Sequence, residues 1–163
     1  MKRKTLCQIF GAPPTVIDRA LYRTLTALRY RLKTIPCARI QWPNAEEMEV
    51  FAQQINNREP SLQHSFAFVD GVWFPIQEPP DPLPQNAFYN GWKACCNITN
   101  VIAFTPDGCI CWVRYNVPGS WHDSTVAQPL YQQLIHNTPV PYNILADIVA
   151  VGCFATCVAC VAV

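Results

Sequence analysis

The apolar positions in residues 15–32, TVIDRALYRTLTALRYRL, recur in steps of three and four at Ile17, Leu21, Leu25, Leu28 and Leu32. That period puts them on one face of a helix and sets Arg19, Arg23 and Lys33 on the opposite face. Thr15 with Asp18 three residues on has the form of a capping box, and Pro13-Pro14 blocks an earlier start. The preceding KTLCQIFG reads as a short helix ended by Gly11. Short helix, glycine turn and longer Arg-bearing helix is the helix-turn-helix pattern. A further helix is expected after Trp42-Pro43. Asn44 is placed to cap it, and Glu46, Glu47 and Glu49 stand near its start, where the helix dipole favours acids.

Beyond residue 62 the pattern shifts to strands. HSFAFVDGVWFPI is aromatic and β-branched, and predicts a buried strand with Asp70 at or near its end. After a proline-rich loop, QNAFYNGWKACCNITNVIAF and CICWVRYNV flank Pro106-Asp107-Gly108, the signature of a hairpin. Pro118-Gly119 ends the second arm. Ser120 or Asp123 is then placed to cap a helix carrying Val126, Leu130 and Leu134, and Pro139 and Pro141 separate it from a last strand, YNILAD.

Charge divides the chain where the pattern shifts. Residues 1–39 hold nine Lys and Arg against Asp18 alone, a balance of +8, whereas residues 40–163 carry −7. A basic head on an acidic body suits a chain that lays its head on a polyanion such as DNA; a solvated basic helix is the plainer alternative. The expected organisation is a basic helix-turn-helix head over 1–39, an acidic linking helix over 40–62, a sheet domain over 63–147 and an apolar tail over 148–163.

The nine cysteines are irregularly spaced, and the N-terminus lacks the apolar stretch of a secretory signal, so reduced thiols and a chain that is not secreted are expected. Cys157 and Cys160 form a lone CxxC without a second pair or a histidine at zinc spacing, which argues against a metal site there.

Strand with Asp70, hairpin, helix, strand with Asp147: this order describes the first four strands and crossover helix of an RNase H-like mixed sheet, an α+β or α/β fold. In that arrangement the first and fourth strands are neighbours and Asp70 would face Asp147. Two carboxylates at adjacent strand ends suit a pair of divalent cations that activate water and stabilise a leaving oxygen in phosphodiester cleavage. A single strand-end aspartate is more often a turn or cap residue.

FGAPPTVIDRAL, WPNAEEMEVFA, FAFVDG, QNAFYNGWK, PDGCICW, PGSWHDS and ILAD, taken in this order, resemble the DDE superfamily endonucleases of the PIF/Harbinger transposase type. The resemblance runs from about Leu6 to Asp147. It implies a nuclear protein, or one in the cytoplasm, that acts on DNA with Mg²⁺ or Mn²⁺, often beside a separate DNA-binding partner. It makes Asp70 and Asp147 the catalytic, metal-binding carboxylates. Asp123 becomes a cap that shapes the site or a further metal ligand, and His122, Tyr89 and Trp92 become supporting motif residues. DNA contacts fall to Arg19, Arg23 and Lys33.

Departures from the family begin after Asp147. No Asp or Glu follows it, so the third acid of a DDE site is missing, and a truncated, inactive nuclease is expected. A DNA-binding protein using only its head is the alternative. The tail IVAVGCFATCVACVAV reads as sequence foreign to the fold. As a tail anchor it is 16 residues, short of the roughly 20 a bilayer span needs.

Overall fold

The chain divides into two units, Met1–Arg39 and Ile40–Val163; the computed structural model describes residues 3–146 and 160–162. In the first unit, α1 (Arg3–Phe10) packs against α2 (Pro14–Leu32). Gly11 takes φ +57° at the end of α1, and the Ala12 N–H donates to the Cys7 carbonyl at 3.3 Å. This closes the helix in the left-handed conformation that glycine adopts without steric cost.

The capping box expected of Thr15 and Asp18 does not form. Pro13 is the N-cap, Pro14 opens the helix, and no side chain caps it. Asp18 accepts instead from Arg3 Nε at 3.0 Å. Only Ile17 of the apolar stripe is buried, while Leu21, Leu25, Leu28 and Leu32 stay exposed. The eight residues of α1 cannot cover a helix of nineteen. Lys33 sits at the C-cap of α2, just past the helix on whose polar face it was expected.

The second unit begins with α3 (Ala45–Arg58). Asn44 caps it as expected, and the cap is reciprocal: Glu47 N–H donates to Asn44 Oδ1 at 2.9 Å and Asn44 N–H to Glu47 Oε2 at 2.8 Å, so Glu47 closes a capping box beyond its expected place near the positive end of the helix. Met48, Ala52 and Ile55 are buried, and α3 packs on the sheet, so this helix is a layer of the fold as well as a connection.

Next come β1 (Ser65–Pro75), α4 (Pro82–Phe88), β2 (Tyr89–Asn90), β3 (Cys95–Phe104), β4 (Ile110–Pro118), α5 (Asp123–Asn137), β5 (Asn143–Ala146) and β6 (Cys160–Ala162). The central strand β1 is antiparallel to β3 on one side and parallel to β5 on the other. Both β4 and the two-residue β2 pair with β3, and β6 runs parallel to β5. Phe66, Ala67, Val101, Ala103 and Ile144 of the sheet form the core with Val126, Leu130 and Leu134 of α5. Complete burial of a side chain such as Phe66 contributes roughly 1.5–3 kcal/mol.

The expected hairpin is β3–β4. Gly108, at φ +84°, donates to the Thr105 carbonyl at 2.9 Å and turns the chain. A bulge between Thr99 and Val101 is held by Asn100, whose Nδ2 donates to the Val72 carbonyl and whose Oδ1 accepts from Asn116 N–H.

Three readings need correction. Asp70 lies in the middle of β1, because Gly71 stays extended and β1 continues to Pro75 along β3. The stretch before β3 is no continuous strand: Asp81 caps α4 by accepting from Leu83 N–H at 3.1 Å, and the prolines sit in the first turn, where their missing N–H costs nothing. Finally, part of the tail taken as foreign to the fold extends the sheet, as residues 160–162 satisfy the open edge of β5. Among the described residues no helix is long and apolar enough to cross a membrane.

Candidate functional site

Asp70 is exposed, and its Oδ1 accepts from Gly71 N–H at 2.7 Å. Its neighbour Gly71 explains the Asp-Gly pair. A Cβ on Gly71 would stand 2.7 Å from Asp123 Oδ2 and 3.0 Å from Asp123 Cγ, so only glycine lets that carboxylate lie against β1. Asp123 is the first residue of α5. His122 occupies the N-cap without a side-chain cap bond, so the capping role expected of Asp123 is not what it does. Its charge still complements the positive end of the helix.

The pairing of β1 with β3 is regular from Phe68 to Pro75. Side chains therefore alternate across the sheet, and Asp70 points away from the face on which Asp123 meets Gly71. The backbone of β1 separates the two carboxylates. Asp147 lies outside the described residues, as do Cys153 and Cys157. Among the described residues no three His, Cys, Asp or Glu side chains come together as a metal site. The Mg²⁺ or Mn²⁺ implied by the resemblance thus has no complete site in them.

On the Asp123 side the motif residues converge. Asn90 closes the Tyr-Asn-Gly-Trp-Lys turn: its Oδ1 accepts from Trp92 N–H at 3.0 Å and Lys93 N–H at 3.1 Å, and its Nδ2 donates to the Gly119 carbonyl at 2.7 Å. One amide thereby ties this turn to the Pro-Gly-Ser-Trp-His-Asp-Ser loop. Gly119 allows the approach, since any Cβ there would collide with the side chain and the backbone carbonyl of Asn97. His122 Nδ1 lies 3.1 Å from Ser124 Oγ.

These loops enclose an open cleft of about 450 Å³, lined by Gly71, Trp73, Asn90, Trp92, Lys93, Thr99, Trp121, His122 and Asp123. Lys93 Nζ lies 5.1 Å from the centroid of Trp73, and Arg114 Cζ lies 5.9 Å from that of Trp121. Such distances allow cation–π attraction. The structure thus brings together Asp123, His122 and Trp92, with Tyr89 beside them in an adjoining hollow. It keeps Asp70 off this face, and Arg19, Arg23 and Lys33 belong to the other unit. The sequence assigns no individual role to Trp73, Asn90, Lys93, Arg114 or Trp121, although Asn90, Lys93 and Trp121 lie within the motifs QNAFYNGWK and PGSWHDS. The available signal was four tryptophans among residues 73–121 in a chain that holds five.

The titrating groups that depart from their ordinary values lie elsewhere. Burial pushes up the thiols of Cys96 and Cys111, the latter to about 11. The Thr105 hydroxyl, donating to the Asp107 carboxylate, holds it below its ordinary range.

Residues 69–148 match the family model of the DDE superfamily endonucleases. No curated protein matches the chain. A solved Mos1 transposase paired-end complex with left transposon end is 16% identical, covers 91% of this chain and 47% of its own, and gives a TM-score of 0.31. The Mos1 mariner paired end complex with Mn is 11% identical over 90% of this chain and 46% of its own, at a TM-score of 0.23. The chain spans about half the length of each.

Proposed function

We propose that this chain descends from DDE superfamily endonucleases of the PIF/Harbinger type, engages DNA through its basic head, and does not cleave DNA as an isolated polypeptide. The observation that carries the reading is the coincidence of the family match over 69–148 with the arrangement of β1. That strand bears Asp70 between an antiparallel hairpin and a parallel neighbour, as an RNase H-like sheet requires. The parallel register of β1 with β5 runs from Ser65 with Asn143 to Val69 with Ala146, which supports the neighbouring first and fourth strands of that fold.

The head, 1–39, carries nine of the chain's twelve basic residues. Arg19 and Arg23 lie exposed on α2, a disposition that supports phosphate contact by a helix-turn-helix in the nucleus. What supports the absence of a cleaving reaction is that two cations need several carboxylates, and among the described residues no three His, Cys, Asp or Glu side chains come together as a metal site.

Duplex binding tests the first half of this reading. Affinity should fall steeply between about 50 and 200 mM salt, as it does when lysines and arginines displace counterions from phosphates. The double substitution Arg19→Glu, Arg23→Glu should abolish most of it, whereas Asp70→Ala should leave it intact; unaltered binding by the charge-reversed variant overturns the assignment to the head. For the second half, supercoiled plasmid with Mg²⁺ or Mn²⁺ should stay intact. Nicking that disappears with Asp70→Ala would show an active nuclease.

A further inference from the structure

We infer that the tryptophan-lined cleft beside Gly71 binds an unpaired nucleotide of the DNA, its base stacked on indole and its phosphate held by Lys93 and Arg114. This rests on the reading that the chain engages DNA, and assigns to the second unit a contact separate from the basic head.

Trp92 is 91% exposed, and Trp73 and Trp121 are each more than two-fifths exposed. Burial of indole is strongly favourable, so three open tryptophans around one cleft leave apolar surface that folding did not use. Nor are they loosely placed. The Asn90 turn fixes the backbone of Trp92 and Lys93, and Lys93 and Arg114 each stand over an indole ring. A flat π-face with a cation beside it is the chemistry that holds single-stranded nucleic acid: the bases stack, the cations track the phosphates. A base paired inside a duplex presents no free face, so the ligand is a nucleotide out of the stack, at a strand end, a gap or a distorted site.

The charged and titratable groups lining the cleft or standing against its indoles are Lys93, Arg114, His122 and Asp123. Asp123 is the acceptor among them. A carboxylate accepts from the exocyclic amino group of cytosine or adenine, whereas an unpaired thymine offers only its ring N3–H, flanked by two carbonyl oxygens that repel the carboxylate. The cleft therefore prefers amino-bearing bases, and Gly71 is the residue that lets Asp123 reach the position from which it selects.

The test uses the full chain with fluorescently labelled oligo-dC, oligo-dA and oligo-dT, and a duplex of equal length. Single strands should quench intrinsic tryptophan fluorescence and bind in the order dC and dA above dT. Trp92→Ala, at a surface position where folding is not at stake, should weaken single-strand binding about tenfold and leave duplex binding unchanged. Lys93→Gln should weaken it and flatten its salt dependence, and Asp123→Asn should erase the preference over dT. If Trp92→Ala and Trp121→Ala both bind single strands as the parent does, or if no quenching occurs, the cleft assignment is wrong. Loss of all duplex binding in the parent would instead sink the reading of the head, and the tryptophan-dependent quenching would still report on the cleft.

Discussion

The Asp123 carboxylate rests against the backbone of Gly71, so close that a methyl group on the glycine would stand 2.7 Å from Oδ2. This contact joins the central strand of the sheet to the first residue of α5, across 52 positions of sequence. It turns the Asp70-Gly71 pair into two signals with opposite faces: a carboxylate on one side of β1, and on the other a gap that admits a second carboxylate.

Gly71→Ala should therefore displace Asp123 and destabilise the fold by about 1–3 kcal/mol, the usual cost of overpacking. Urea unfolding measures it. In an Asp123→Ala background most of the penalty should vanish, because the clashing atoms are gone, and a double-mutant cycle reads the coupling directly. An equal penalty in both backgrounds would place the clash elsewhere.

Gly119→Ala should be worse, at about 3 kcal/mol or more, since its methyl meets the Asn97 backbone as well as the side chain. A side chain can rotate aside; a strand backbone paired on both edges cannot. The comparison of midpoints for Gly71→Ala and Gly119→Ala decides whether the difference is real.

Ala94 closes the turn after Lys93 with φ +52°. An L-residue with a Cβ is disfavoured there by roughly 1–2 kcal/mol, and glycine is not. After the extra entropy glycine loses on folding, Ala94→Gly should raise stability by about 0.5–1 kcal/mol. A fall in stability would mean that the turn is shaped by something other than its own backbone.

Burial raises the Cys111 thiol from 9.0 to about 11. Its neutral form is the one the fold accommodates, so its contribution is fully present below pH 9 and is lost as pH rises towards 11. Stability should fall across that window, and Cys111→Ala should remove this part of the slope while lowering stability at pH 7. The same burial should make Cys111 slow to react with thiol reagents at neutral pH in the folded chain and fast in urea.

What proved legible was local. The Asn44 cap, the Gly11 helix end and the Gly108 turn each close within a few residues, and each stands where its sequence pattern put it. The capping box expected of Thr15 and Asp18 failed, because Pro14 opens the helix one residue earlier and Arg3 takes the carboxylate. Asp-Gly read as a strand end, yet β1 runs on: a Gly in the extended conformation turns nothing, and β3 offers partners as far as Pro75.

By itself the sequence determined most of the segments that become helix or strand, α4 being among the exceptions, the split between basic head and acidic body, and the order of the motifs that the DDE family model matches over 69–148. Period, cap chemistry and charge are properties of neighbours along the chain. Only the tertiary structure decided that Asp70 and Asp123 stand on opposite faces of β1, and that three tryptophans and two cations gather on the Asp123 side. Strand register and the docking of α5 fix those relations, and both are set by packing between residues far apart in sequence.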